Sequence, residues 1–222
     1  GGLSSHSSRL VASRPQRGNL ITASCSLPST KQVLSQRISH NRSNTFISFK
    51  KANYFFERLK KEIEYYSPEI TRVKMRGRYV RIPRLQVAYG DPGLKYVFSG
   101  TEIPAKNWNN LIYEIKMDIE KKYPYKYNFC LINCYKNGNH SIGQHHDDEK
   151  QLDLSTPIIG VSFGQERTLI LKKNNKNLKI KLGHGSLFSL AYPTNRFWTH
   201  GINKDSLIHN PRISLTFRKL LQ

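Results

Sequence analysis

Residues 128–149 read NFCLINCYKNGNHSIGQHHDDE and join a short apolar run to a cluster of residues that can ligate a metal ion. The apolar part, Phe129–Tyr135, is typical of a buried β-strand because it is short and is followed by Asn and Gly. The polar part ends in two histidines and three acidic residues, and Trp198-Thr199-His200 supplies a distant imidazole. Two histidines and one carboxylate are the ligand set that holds non-haem Fe(II) while leaving coordination positions open. The sequence therefore predicts a strand-borne iron site.

Spacing within this cluster leaves two ligand registers open. Side chains alternate across an extended chain, so residues two apart project to one side and can bind one ion. His145 with Asp147 satisfies this spacing, and so does His146 with Asp148. His200 would complete either set, and the residues alone do not choose between them.

A strand-like run near the C-terminus, residues 211–218, carries two arginines at even separation. Arg212 and Arg218 would therefore lie on one face of the strand. A pair of guanidinium groups in a core strand is costly unless an anion meets it. We expect such an anion here, and a carboxylate of 2-oxoglutarate suits the planar fork of a guanidinium.

The apolar pattern predicts two helices followed by short strands. A first helix is indicated by residues at helical spacing before Pro68: Tyr54, Phe55, Leu59, Ile63 and Tyr66. A second is indicated by a stripe that ends near Pro124: Trp108, Leu111, Ile112, Ile115 and Ile119. Six β-type runs follow, at residues 129–135, 157–163, 167–171, 178–182, 186–191 and 213–217. This order predicts an α+β fold, a sandwich or a jelly roll with the helices packed on one side.

The net charge points to a polyanionic partner. Lys and Arg number 36 against 15 Asp and Glu, which gives a formal charge of +21. This excess exceeds what solubility requires, and it favours nucleic acid over an anionic membrane surface. No apolar run reaches the roughly 18 residues of a membrane span, so we expect no membrane role. The three cysteines lack zinc-ligand spacing, which favours a reducing compartment.

We expect two parts, a tail at residues 1–44 and a single domain at residues 45–222. The tail is rich in Ser and Arg and contains no acidic residue, so we predict a flexible basic segment. It would serve as a solvated linker or help to hold a polyanion, and its composition also resembles an organelle transit peptide. We expect a nuclear location, with a mitochondrion or another organelle as the alternative.

Five segments together resemble the AlkB family of Fe(II)- and 2-oxoglutarate-dependent dioxygenases: PRLQVAYGDPGLKYVFSG, NFCLINCYKNGNHSIGQHHDDE, PIIGVSFG, HGSLFSLAYPTN and PRISLTFRK. The likeness runs from about residue 55 to residue 220, and within the family it is greatest to the animal homologue that repairs alkylated duplex DNA. The resemblance implies a double-stranded β-helix, a form of jelly roll, with N-terminal helices packed on one side. It also implies that residues 45–222 form an AlkB-like dioxygenase domain.

The resemblance implies roles for individual residues as well. It selects the first register, so that His145, Asp147 and His200 would bind Fe(II) at the catalytic centre. The residues that it places beside 2-oxoglutarate are Asn133, Tyr135, Arg212, Thr216 and Arg218. The residues that it places beside the substrate base are Tyr96, Val97, Phe98 and Ser99, as the wall on which an extruded base stacks, and Asp148 and Glu149.

One departure from the family pattern concerns the hairpin that inserts an apolar aromatic side chain into the base stack in the duplex-repair relative. The matching residues here are Met75-Arg76-Gly77-Arg78, so Arg76 would be the wedge. A guanidinium can stack on bases or bind phosphate, which leaves the preference for duplex over single strands open. Without any family, Lys74, Arg76 and Arg78 recur at every second position of an apparent strand, where they would share a face. Such a strand is either a phosphate-binding surface or a solvated edge.

These implications together predict an oxidative demethylase of nucleic acid. Fe(II), 2-oxoglutarate and O2 would remove methyl groups from bases such as 1-methyladenine and 3-methylcytosine, with release of formaldehyde and succinate. Alkylated DNA is the favoured substrate, and RNA is the alternative that a stacked base and bound phosphates would serve equally. Further alternatives are a protein side chain, which the charge disfavours, and a non-catalytic nucleic-acid-binding module. We expect a monomer.

Overall fold

The computed structural model describes residues 21–23, 46–75, 77–98 and 101–221. For residues 21–23, Met75 and Phe98 the description covers the backbone alone. Arg76 and Ser99, two of the predicted substrate contacts, lie outside the described residues, and so does most of the predicted tail. Within residues 1–44, the described part is a short strand at Ile21–Ala23, so the flexibility of the tail stays a prediction.

The described residues form four helices and fifteen strands. The helices are α1 (Phe49–Glu62), α2 (Pro68–Thr71), α3 (Asn110–Lys122) and α4 (Thr194–Phe197). The strands are β1 (Ile21–Ala23), β2 (Val73–Met75), β3 (Arg78–Val80), β4 (Leu85–Gly90), β5 (Lys95–Phe98), β6 (Thr101–Pro104), β7 (Lys106–Asn107), β8 (Phe129–Tyr135), β9 (Ile142–His145), β10 (Ile158–Gly164), β11 (Arg167–Lys173), β12 (Lys176–Leu182), β13 (Ser186–Leu190), β14 (Thr199–Ile202) and β15 (Arg212–Arg218).

The two long helices, α1 and α3, begin at polar caps. The Ser48 hydroxyl accepts the backbone N–H of Lys51 at 3.3 Å, and the Asn109 side chain accepts that of Ile112 at 2.8 Å. These contacts satisfy N–H groups that have no partner within the first turn of a helix. Both predicted helices are confirmed, although α1 starts and ends earlier than its apolar pattern indicated. Tyr54, assigned to the buried stripe, is 50% exposed because it lies on the outer side of α1.

Two main sheets, two two-stranded sheets (β2-β3 and β5-β6) and a helical layer make up the described part of the domain. Among the described residues, the larger sheet has the order β1-β13-β10-β15-β8-β4-β7, and the smaller has the order β12-β11-β14-β9. One buried cluster joins α1 and α3 to the outer face of the larger sheet, and it includes Phe55, Ile115 and Leu215. A second cluster lies between the sheets and includes Leu131 and Leu171. From β8 onward the chain passes repeatedly between the sheets, which is the predicted jelly roll with helices on one side.

All six predicted β-type runs form strands, with bounds that shift by at most two residues. These runs are apolar because their strands contribute to one or both buried clusters. Strands β4, β9 and β14 are not among these six runs, although the predicted metal site implied extended chain at His145 and His200. Among the described helices, none combines the length and hydropathy needed to cross a bilayer.

The basic segment around residue 76 forms a hairpin, which corrects the prediction of a single strand with a shared basic face. In the β2–β3 pair, Met75 lies opposite Arg78, and Lys74 lies opposite Tyr79. Lys74 and Arg78 therefore project to opposite faces, because paired residues share a face and neighbours alternate. Gly77 occupies the turn with φ +78°, a backbone conformation that other residues rarely adopt. The prediction assumed that side chains alternate between two faces along one continuous strand. The turn changes that order, so the basic residues before and after it do not share a face.

Candidate iron and 2-oxoglutarate site

Strand β15 presents its side chains alternately to two environments. Ile213, Leu215 and Phe217 are fully buried against the helical layer. The intervening residues line a cavity of about 120 Å³, and they are Arg212, Ser214, Thr216 and Arg218. The structure therefore places both arginines on one face of the strand, as their even spacing predicts.

Strands on either side of β15 continue the lining in register. Ser214 lies between Asn133 on β8 and Ser162 on β10. Thr216 lies between Leu131 and Gly160, and its hydroxyl donates to the Leu131 carbonyl oxygen at 2.9 Å. The cavity thus has a floor of small and polar side chains, which leaves room for a ligand above the sheet.

Pairing of β9 with β14 brings the two predicted imidazole ligands together. His145 lies directly opposite His200, and their ring centroids are 4.2 Å apart. Asp147 follows β9, with Oδ1 3.5 Å from Nε2 of His145 and Oδ2 3.7 Å from Nε2 of His200. One ligand atom from each residue lies within 4.8 Å of the others. This is the donor set of a facial triad, with two imidazoles and one carboxylate.

Local contacts fix this register rather than the alternative one. The carbonyl oxygen of Gly143 lies 2.9 Å from Nδ1 of His145, which leaves Nε2 of that ring to face Asp147. The backbone N–H of Asp147 donates to Oδ1 of Asn195 at 3.2 Å, and the Asn195 amide donates back to the Asp147 carbonyl. His146 turns away, with Nδ1 3.0 Å from the Asn195 carbonyl oxygen.

Electrostatics favour the ligating forms of His200 and Asp147, whereas at His145 burial lowers the pKa but the contact with Asp147 outweighs it and leaves the pKa of that imidazole raised. Burial lowers the pKa of His200 to about 4, so its imidazole is neutral at pH 7. Burial alone would raise the pKa of Asp147, but the Arg218 guanidinium and the contact with His145 hold it well below its ordinary value. Nη2 of Arg218 lies 3.1 Å from Oδ2 of Asp147. Asp147 is therefore a carboxylate at pH 7.

Both arginines of β15 retain N–H groups for which the described residues offer no partner. Nη2 of Arg212 donates to the hydroxyls of Ser162 and Ser214 at 2.9 and 3.2 Å, whereas Nε and Nη1 are buried and unpaired. Nε and Nη1 of Arg218 are also buried and unpaired. Burial lowers the pKa of Arg212 to about 10, so this group is still charged at pH 7. A bound dicarboxylate beside the triad would satisfy both groups, so the residues present fit Fe(II) with 2-oxoglutarate.

Two side chains that sequence reasoning missed complete this cavity. Arg84 donates from Nε to Oδ1 of Asn133 at 2.9 Å, and Gln86 donates from Nε2 to the same oxygen at 3.0 Å. Both side chains line the cavity. Gln86 is on β4, a strand that the apolar pattern did not reveal, and Arg84 directly precedes that strand. Tyr135, a predicted 2-oxoglutarate contact, also lines the cavity, with the Arg212 guanidinium carbon 5.3 Å from its ring centre.

The predicted substrate contacts divide into several locations. Tyr96 is 1% exposed and lines the cavity, with the Arg218 guanidinium carbon 4.8 Å from its ring centre. Val97 is 42% exposed and donates its N–H to Gln151 at 3.1 Å, so it does not continue the wall formed by Tyr96. For Phe98 the side chain lies outside the description, and Ser99 lies outside it altogether.

The two acidic residues after the triad face different cavities. Glu149 lines the same cavity as the triad, whereas Asp148 is exposed and lines a neighbouring cavity of about 320 Å³. Burial raises the pKa of Glu149, and the hydroxyl of Tyr96 lies within its hydrogen-bonding reach. Gly77 and Arg78 are exposed on the β2–β3 hairpin. The structure therefore brings Tyr96 and Glu149 to the triad and leaves Asp148, Gly77 and Arg78 at the surface.

Comparisons with known proteins agree with this site. A family model described as the 2OG-Fe(II) oxygenase superfamily matches residues 43–218. The DNA oxidative demethylase ALKBH2 of Bos taurus is 36% identical over 180 residues, which cover 77% of this chain and 65% of the bovine protein. The ALKBH2 protein of Homo sapiens is also 36% identical over 180 residues, covering 77% of this chain and 69% of the human one. The chain thus spans about two thirds of the length of these relatives.

Solved structures add the same fold. The structure of OsALKBH1 aligns with a TM-score of 0.50 and 17% identity, covering 79% of this chain and 94% of that chain. At this identity the likeness concerns the arrangement of strands and helices alone. Because the family model covers most of the sequence and relatives are more than a third identical, the chain belongs to the 2OG-Fe(II) oxygenase superfamily, as a member of the AlkB type.

Proposed function

We propose that this protein is an oxidative demethylase that removes methyl groups from ring nitrogens of DNA bases. The observation that carries the proposal is the convergence of ligand atoms from His145, Asp147 and His200, within 4.8 Å of one another, on a cavity with two buried arginines. The relatives are DNA oxidative demethylases by name, which supports DNA as the substrate. A formal charge of +21 supports a polyanion of some kind.

In this proposal the triad holds Fe(II) and β15 holds 2-oxoglutarate. Arg212 offers its two unpaired N–H groups to one carboxylate of the cosubstrate, with Tyr135 packed against the guanidinium. Asn133 has its amide oxygen occupied by two donors, so its amide N–H groups are left to donate into the cavity. Arg218 keeps Asp147 ionised and offers its unpaired Nε and Nη1 groups to the other carboxylate of the cosubstrate.

Fe(II) and 2-oxoglutarate, when bound there, would supply the oxidation, in which one atom of O2 enters succinate, the other enters a C–H bond of the N-methyl group, and carbon dioxide leaves. The hydroxymethyl base would then lose formaldehyde, which leaves the ring nitrogen unmethylated. The protein side chains exclude water and hold the reacting groups in place. The sheets achieve this because apolar side chains surround the cavity, among them Leu131, Leu169 and Ile202.

On the substrate side, Tyr96 and Glu149 are the groups that the proposal assigns to the extruded base. A carboxylate accepts hydrogen bonds from the exocyclic amine that adenine and cytosine share. Burial raises the pKa of Glu149, whereas the nearby Arg218 favours its charged form. The exposed β2–β3 hairpin is assigned to the nucleic-acid backbone or to the gap left by the base.

A demethylation panel tests the proposal. Oligonucleotides that carry 1-methyladenine or 3-methylcytosine are offered as single-stranded DNA, duplex DNA and RNA, with Fe(II) or 2-oxoglutarate omitted in matched samples. We expect stoichiometric formaldehyde and succinate from DNA when both are present, and loss of turnover in His145→Ala and Asp147→Ala with nucleic-acid binding retained.

Other outcomes of this panel would assign the protein a different function or substrate. Binding of DNA without succinate or formaldehyde would leave a non-catalytic nucleic-acid-binding module. Turnover confined to RNA would keep the chemistry and change the substrate. Full activity in either triad variant would exclude the ligand assignment.

A further inference from the structure

Strand β9, which carries His145, has a short and irregular connection to its sheet. It lies at the edge of the smaller sheet, and in the described part of the chain it pairs with β14 at two positions. His145 lies opposite His200 and Ile142 lies opposite Ile202, so Gly143 and Gln144 together face Gly201. This is a β-bulge, which interrupts ladder hydrogen bonds and changes the direction of the residue that follows it.

The side chain of Gln144 bridges this interruption on the outer face of the sheet. Its Nε2 donates to the carbonyl oxygen of Ile170 on β11 at 3.2 Å, and its Oε1 accepts the Thr199 hydroxyl at 3.0 Å. Because Ile170 pairs with Gly201, the amide must cross β14 at that glycine. A Cβ at Gly201 would lie 2.8 Å from Nε2 of Gln144 and 2.9 Å from the Gly143 carbonyl oxygen. A hydrogen at position 201 is therefore what lets the amide span the strand.

The two ends of this bridge adjoin the two imidazoles of the triad. Gln144 immediately precedes His145, and Thr199 immediately precedes His200. Within the same bulge of β9, the Gly143 carbonyl oxygen lies 2.9 Å from Nδ1 of His145 and sets the orientation of that ring. Any movement of β9 away from β14 would thus change both the spacing of the rings and the direction of His145.

We propose that Gln144, with Thr199, is a positioning residue that sets the separation and orientation of His145 and His200 for metal binding. The inference rests on the proposed triad as the metal site. Groups that orient ligands typically change metal affinity about 10- to 100-fold when they are removed. Because the Gln144 amide is on the exposed face, we expect an effect near the lower end of that range.

Metal binding by the metal-free protein tests this inference without turnover. Co(II) is titrated into the wild type and the variants, and the Kd, the visible absorption of the bound ion and the Tm of the metal-free form are recorded. Gln144→Met keeps the length of the side chain and removes both hydrogen bonds. Thr199→Val removes the hydroxyl at constant shape, and Thr199→Ser retains it. Thr168→Val on the same outer face is the matched control.

We expect the Co(II) Kd to rise about 10-fold in Gln144→Met and in Thr199→Val, with an altered visible spectrum. Thr199→Ser and Thr168→Val should match the wild type. Because the two groups act on each other, the double variant Gln144→Met/Thr199→Val should lose no more than the larger single effect. The Tm of the metal-free form should change equally little in Gln144→Met and Thr168→Val.

Unchanged Kd values and spectra in Gln144→Met would overturn the inference, and so would a weaker affinity accompanied by a fall in Tm that Thr168→Val does not show. A His145→Ala sample separates this failure from failure of the proposed function. If His145→Ala binds Co(II) as tightly as the wild type, the triad assignment itself is wrong. If it loses binding while Gln144→Met does not, the triad stands and the positioning role is rejected.

Discussion

Arg218 and Asp147 form a buried ion pair, with Nη2 of the arginine 3.1 Å from Oδ2 of the aspartate. Both side chains are almost inaccessible, at 5% and 6% exposure. A carboxylate in such surroundings needs a cation or a metal beside it, because burial alone favours its neutral form. Arg218 therefore preserves the anionic ligand before any metal binds.

We expect Arg218→Met to weaken Co(II) binding at least about 10-fold, because Asp147 would then be partly protonated or displaced. Arg218→Lys keeps a charge on a shorter, non-planar group and should lose less. The measurement is a Co(II) titration of the metal-free proteins at constant pH. Equal Kd values for Arg218→Met and the wild type would show that the ion pair does not support the ligand.

Arg212 should govern cosubstrate affinity and leave metal affinity unchanged. It lies six residues from Arg218 on the same strand, or about 20 Å along β15. Removal of hydrogen bonds to a charged carboxylate typically costs about 1.5 to 3 kcal/mol, so Arg212→Met should raise the KM for 2-oxoglutarate at least about 10-fold. The Co(II) Kd is the internal control. A KM equal to that of the wild type would remove Arg212 from the cosubstrate site.

Asn133 should act only as a donor toward its ligand. Its amide oxygen already accepts from Arg84 at 2.9 Å and from Gln86 at 3.0 Å, which leaves its N–H groups for the cavity. Asn133→Asp can keep both contacts and cannot donate, so we expect weaker binding of 2-oxoglutarate by about 10-fold. Isothermal titration calorimetry with the Co(II)-loaded proteins measures the Kd for 2-oxoglutarate in the wild type and in Asn133→Asp. Asn133→Ser is the control, because its side chain is shorter but can still donate a hydrogen bond. A gain in affinity in Asn133→Asp would contradict this orientation.

His184 should make the stability of the metal-free protein depend on pH. Its Nδ1 accepts the Gly164 N–H at 2.8 Å, and the rings of Phe49, Phe56 and Phe163 lie within 6.3 Å. Burial lowers the pKa of this imidazole in the folded state. The unfolded state therefore takes up a proton first as the pH falls below about 6.5, and folding stability decreases through that range.

The test compares urea unfolding of the wild type and His184→Asn between about pH 8 and pH 5. Asn can accept the Gly164 hydrogen bond and does not titrate. The difference in unfolding free energy between the two proteins should change with pH, with a slope of at most about 1.4 kcal/mol per pH unit. A difference that is constant over this range would rule out His184 as the titrating group.

The β2–β3 hairpin should matter more for duplex than for single-stranded substrates. Arg76 itself lies outside the described residues, between the paired positions Met75 and Arg78. We expect Arg76→Ala to reduce demethylation of duplex DNA more than that of single strands, because a wedge is needed only where a base leaves a stack. Lys74→Ala on the same hairpin is the control for loss of charge. Equal losses on both substrates would discard the wedge.

Sequence reasoning recovered the strands that bury apolar side chains, including β8 and β15 of the site, and did not delimit β4, β9 and β14. Residues 129–135 were predictable because a nearly continuous apolar run of this length fits a core strand, and residues 213–217 because apolar residues there alternate with Ser214 and Thr216. β9 reads IGQH and β14 reads THGI, and neither has an alternation of apolar residues. Their positions are taken by proposed metal ligands, by side chains that hydrogen-bond between strands, and by glycines that allow close approach of the backbones. β4 was overlooked as well, and with it the contacts of Arg84 and Gln86 to Asn133.

The choice of ligand register shows what spacing could not decide. His145 with Asp147 and His146 with Asp148 are equivalent along the chain. The structure distinguishes them through Asn195, about fifty residues away, which accepts from His146 and from the backbone of Asp147. Such a contact between distant parts of the chain leaves no local signal. Resemblance to a family supplied the answer that periodicity could not.

The two-sided character of β15 restricts how this protein can change during evolution. Insertion or deletion of one residue within the strand would move each following side chain to the opposite face. The ligand-binding residues would then face the helical layer and the apolar residues would face the cavity, so that both ligand binding and helix packing would be lost. Single substitutions at the cavity-facing positions of β15 would be tolerated, because they alter the pocket without disturbing Ile213, Leu215 and Phe217. Divergence in cosubstrate recognition should therefore proceed by exchange of single residues in this strand, with its length held constant.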